Sequence, residues 1–147
     1  MLDPGKVWAA RVDKIRVAID LNGFLIEASL DEPVITEDIV RLRMRLAFRR
    51  GLKGEELVPI DPPRPEPYVL VEENLSLEDG RITFYNYDLV MPSRGAHFGI
   101  HFHRPHNDAG AAHRQGSWFD PESYGPVDID VALYDIVQTA FLFVRAT

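Results

Sequence analysis

Between Ile15 and Leu30 the chain reads IRVAIDL-NG-FLIEASL. Asn-Gly is a preferred pair for a two-residue type I′ turn, because both central positions need positive φ. With Leu21 set opposite Phe24, Ile19 meets Ile26, Val17 meets Ala28 and Ile15 meets Leu30. Each of these pairs is apolar. Arg16, Asp20, Glu27 and Ser29 take the other face. A slip of one residue would move the whole apolar set to solvent, so the pattern predicts a hairpin in a single register. Trp8, Val12, Ile15 and Ile19 also fit a helix running from Asp3-Pro4 toward Asn22. From Ile15 onward the hairpin is the preferred reading.

A helix is expected next, near Thr36 to Arg50. Thr36 suits its N-cap, and Glu37 and Asp38 suit its first turn. Ile35, Ile39, Leu42 and Leu46 supply an apolar stripe, and Gly51 follows as a stop. Arg41 and Arg45 then lie one turn apart with Arg49 in line, an arrangement read as a solvated face rather than an anion site. The run Val58 to Pro67, VPIDPPRPEP, has proline at five of ten positions and reads as an extended connector. Strands are expected over Tyr68 to Leu77, Arg81 to Val90 and Ala96 to Arg104, with turns at Asp79-Gly80 and Met91 to Gly95. Glu72, Glu73, Glu78 and Asp79 read as solvent-facing. Pro105 to Pro126 reads as a long loop, and a strongly apolar final helix capped by Asp128 or Asp130 is expected to run to about Arg145. The expected fold is α+β: an antiparallel sheet of about five strands in the order hairpin, helix, three strands, helix. Both helices pack on one face, and residues 1–147 form a single domain.

Composition narrows the function classes. A chain of 147 residues can bury a core without a staple. With no cysteine, disulfide frameworks, zinc fingers, iron–sulfur sites and thiol nucleophiles are excluded. The formal charge of −7 argues against broad binding to duplex DNA. No leader-like or membrane-spanning run is present, so the expected setting is the cytoplasm, away from membranes. Phosphate-loop, dinucleotide-binding and EF-hand patterns are also lacking.

The concentrated chemical feature is histidine. All five fall between positions 97 and 113, in AHFGIHFHRPHNDAGAAHR. On a strand, His97, Gly99, His101 and His103 share one face, while Ala96, Phe98, Ile100 and Phe102 share the other. Paired imidazoles two residues apart suit one divalent transition metal, zinc first. His101 and His103 are the candidate ligands. His97, His106 or His113 is a candidate third, and Asp108 a ligand or catalytic base. Hydrolysis is the chemistry such a centre would support. The spacing Gly95-x5-His101-x-His103-x4-Asp108-x7-Gly116 is similar to the first motif of the cupins. It departs from that motif in having aspartate for glutamate and a last gap one residue long. No histidine follows His113 to supply a second motif, so no cupin function is carried over.

Two further readings compete with the metal centre. Histidine pairs can cleave RNA by general acid and base without metal. Arg94, Arg104 or Arg114 would then contact phosphate, and Tyr85 and Tyr87 would contact a base or phosphate. Alternatively, the protein is a non-catalytic module that assembles with itself or a protein partner through the helix Ile129 to Val144 and the Trp118 loop.

Overall fold

The fold is that of a computed structural model, which describes residues 1–21, 26–48, 68–91, 96–102, 112–116, 119–123 and 129–145. It is α+β, as the sequence predicts. In chain order the elements are α1 (Pro4–Leu21), β1 (Ile26–Leu30), β2 (Val34–Ile35), β3 (Ile39–Phe48), β4 (Tyr68–Ser76), β5 (Ile82–Met91), β6 (Ala96–Phe102), β7 (Ala112–Gly116), β8 (Phe119–Ser123) and α2 (Ile129–Arg145). The eight strands form one sheet in the order β1-β3-β4-β5-β6-β7-β8, with β2 also paired to β3. All pairings are antiparallel. The expected turn at Asn22-Gly23, the proline connector and most of the Met91 to Gly95 turn lie outside the described residues.

The predicted hairpin is a helix over its first half. Asp3 caps α1: its Oδ1 accepts from the Lys6 N–H at 3.0 Å, and its carbonyl accepts from the Val7 N–H at 3.1 Å. Pro4 opens the helix, where a missing N–H costs nothing. Val12, Ile15 and Ile19 are buried along one stripe, whereas Val17 points to solvent. The alternation that predicts a strand also contains this helical stripe. The Asp3-Pro4 start and the burial of that stripe against the sheet decide between them.

The predicted second helix is a strand. In β3, Val40, Leu42, Met44 and Leu46 are buried and Arg41, Arg43 and Arg45 are exposed, a strict period of two. Thr36 Oγ1 does accept from the Ile39 N–H at 3.3 Å, as an N-cap would. However, the Thr36 N–H donates back to the Ile39 carbonyl at 3.0 Å, which closes a tight β2–β3 turn. Ile35, one member of the expected helical stripe, is exposed.

Registers assign every central strand residue to a face. Met44, Val71, Tyr87 and Ile100 lie in one row, and Leu46, Val69, Leu89 and Phe98 in the next. This inner face joins Val12, Ile15 and Ile19 of α1 and Ala132, Leu133, Ile136, Val137 and Ala140 of α2 in one core cluster. The described apolar residues of α2 are thus used within the chain, and only Tyr134 among them is substantially exposed. The expected long loop contributes β7 and β8. These strands are short and polar, and Pro121 lies on the last strand of the order, the kind of edge position where proline is tolerated. Among the described residues no helix is long and apolar enough to cross a membrane.

Candidate functional site

The histidine strand is β6, and its two faces differ as the alternation predicts. Ile100 is buried under the helices, and His101 lies on the outer face. Two outer-face rows run beneath the site. One is Arg43, Glu72, Asn86, His101 and His113, and the other is Arg45, Leu70, Asp88, Gly99 and Gln115. His101 thus stands directly across the β6–β7 ladder from His113 and across the β5–β6 ladder from Asn86. His97 occupies the register position opposite Val90. His103, His106, Asp108, Arg94 and Arg104 lie outside the described residues.

The central contact is between His101 and Asp88. His101 Nε2 lies 2.7 Å from Asp88 Oδ1, and the two side chains are 10% and 23% exposed. An imidazole this buried on a sheet face away from the core needs a polar partner. Gly99 makes the contact fit. A Cβ at Gly99 would collide with Asp88 Oδ1 and stand 2.6 Å from His101 Nε2. In its ionised form Asp88 only accepts, so the Nε2–H donates and Nδ1 carries the lone pair of the neutral ring. A carboxylate fixing one imidazole nitrogen is the usual support behind a histidine that ligates a metal or moves a proton through the other. Beside it, Asn86 Oδ1 is buried with no hydrogen-bond partner among the described residues. An unmet buried acceptor costs about 1–3 kcal/mol, so it marks a place where a donor or cation is wanted. Among the described residues, no group of three or more metal-ligating side chains is gathered.

Tyr85 and Tyr87 stand elsewhere. They pair with Phe102 and Ile100, so they face the core rather than the histidines. Tyr87 Oη donates to Glu73 Oε2 at 2.5 Å. Glu73, read from sequence as solvent-facing, is fully buried and takes a bidentate pair from Arg11 of α1, at 2.7 and 2.8 Å. The rings of Tyr85 and Tyr87 stack at 4.7 Å. Burial, then the charge and hydrogen bond of Glu73, push the Tyr87 phenol well above its ordinary range. The network pins α1 to β4 and β5 through a buried charge, and it has no open side toward His101. A groove of about 570 Å³ lies between α1 and the β4–β5 turn, lined in part by Arg11, Lys14 and Arg81. It too is on the helix side of the sheet.

Sequence reasoning missed Asp88 and Asn86. The signal was present: in FYNYDLV they alternate with Tyr85, Tyr87 and Leu89. What it lacked was the β5–β6 register, which depends on the parity of the connecting turn. Comparison with protein families, with curated proteins and with solved structures found no match in any of the three.

Proposed function

We propose that this protein binds one divalent transition metal, zinc first, on the outer face of its sheet. His101 and His113 are the ligands that adjacent strands bring to one register position. Asp88 orients His101, and Asn86, the register partner of His101 on β5, offers a buried Oδ1 without a hydrogen-bond partner among the described residues. The observation that carries the reading is the 2.7 Å His101–Asp88 contact on a buried imidazole. It fixes the orientation of the ring and which of its nitrogens would face the metal. His97 and His103 alternate with His101 along the same strand direction and are the candidates to complete the set. A metal held by imidazoles with an open position lowers the pKa of bound water, and hydrolysis is the chemistry we attach to it.

Calorimetric titration of zinc into chelator-stripped, tag-free protein tests this. One site per chain is expected. His101→Ala and His113→Ala should each abolish it. Asp88→Asn should weaken it about 10–100-fold without abolishing it, as loss of an outer-shell partner does. Absence of saturable binding in the wild type, or unchanged binding in His101→Ala, overturns the proposal.

A further inference from the structure

The outer face carries a second feature, next to the histidines and independent of any metal. Arg41, Arg43 and Arg45 project from β3 at alternate positions and are all exposed. Their repeat is about 6.6–6.8 Å, two strand residues. Arg45 lays its guanidinium 4.0 Å over the ring of Tyr68 on β4. Arg41 Nε donates to Asn74 Oδ1 at 3.1 Å, so among the described residues both end arginines meet uncharged groups. Arg43 sits at 3.6 Å from Glu72 and 3.8 Å from Asp31, in loose exposed pairs that salt would weaken. Phe84 on β5 shares this face, opposite Asn74. Among the described residues of β3 to β6 the outer face holds three arginines and two carboxylates, Glu72 and Asp88, with Asp31 beside Arg43, on a chain whose net charge is −7.

We infer that this face binds single-stranded RNA. The inference does not rest on the metal reading. A guanidinium held over a ring offers, with that ring, a surface for an unpaired base, and its N–H groups offer donors to phosphate. A row of exposed arginines along one strand follows an extended backbone. Duplex is disfavoured by the acidity of the rest of the chain. RNA is the nucleic acid whose loops and ends offer unpaired bases, so it is the partner this platform fits.

Fluorescence anisotropy with a short labelled oligouridine, in chelator, is the test. The wild type should bind, with a log–log salt slope of about −2 for three phosphate contacts. Arg41→Glu/Arg45→Glu should lose at least about tenfold in affinity, and Tyr68→Ala about tenfold through lost stacking. Arg16→Glu makes one such reversal, half the charge change of the double variant, on an exposed position of α1, across the sheet, and should bind like the wild type. Melting curves check that each variant is folded; Arg45→Gln replaces the double variant if that one is not. No binding by the wild type overturns the inference. So does an equal loss in Arg16→Glu, which would mean bulk charge, or equal affinity for oligothymidine. Because chelator is present, failure here leaves the metal proposal standing, and the zinc titration fails or succeeds without RNA.

Discussion

Gly99 is the residue on which the site depends most. Gly99→Ala places a methyl where Asp88 and His101 meet, with 2.6 Å to His101 Nε2. Overpacking of this kind costs about 1–3 kcal/mol. The same change should remove zinc binding, which a purely structural glycine would leave intact; calorimetry and urea unfolding on one sample decide it. On the inner face, Glu73→Gln breaks the pair with buried Arg11, and a destabilisation of about 3–5 kcal/mol is expected in urea. Tyr87 gives a pH test. Its folded-state pKa is raised, first by burial and then by Glu73, so the folded protein holds this proton more tightly than the unfolded chain. The stabilisation is complete below about pH 10, the ordinary tyrosine value, and is lost as pH rises from there toward the folded-state value. Wild-type urea midpoints should fall above that pH more steeply than those of Tyr87→Phe, which should be the less stable protein at neutral pH. Parallel curves would remove Tyr87 as the titrating group.

The elements divide into those legible in the sequence and those decided by partners. β4, β5 and β6 and the final helix fall where alternation and turn residues predict, within a residue or two. Besides the expected loop that contributes β7 and β8, two stretches differ, at α1 and β3, and in both the apolar residues satisfy both periods at once. Ile15 and Ile19 lie on one face of a strand and also on one face of a helix. Ile39, Leu42 and Leu46 read as a helical stripe, although Val40, Leu42, Met44 and Leu46 alternate strictly. Local pattern cannot break such a tie; the neighbouring strands and the burial of one face do. Glu73 shows the same limit. Its parity with Val69, Val71 and Leu75 marks it as inward-facing, but only α1 reveals the arginine that makes a buried carboxylate tolerable. A pair of variants tests the assignment of α1. Ile15→Ala, at a site 1% exposed, should cost about 2–5 kcal/mol. Val17→Ala, at a site 56% exposed, should stay within about 0.5 kcal/mol. A hairpin would place both residues on one buried face and make the two costs similar.

Among the described residues the molecule is an antiparallel sheet with helices on one face and, on the other, the polar groups to which we assign binding. The inner face is used up by α1, α2 and the Arg11–Glu73–Tyr87 network. The outer face carries the imidazole–carboxylate pair at β5–β6 and the arginine row at β3. A ligand that binds only the folded state stabilises it by about 2.7 kcal/mol at a hundredfold excess over its Kd. For a domain of this size that is about 5–10 °C in Tm. Zinc should therefore raise the Tm of the wild type by this amount and leave His101→Ala unmoved. The most direct measurement is the zinc content, by elemental mass spectrometry, of tag-free protein loaded with zinc and freed of excess by gel filtration, beside His101→Ala. One zinc per chain, absent from the variant, is the predicted result. No zinc retained in the wild type, or equal zinc in both proteins, would contradict the assignment of His101 as a ligand.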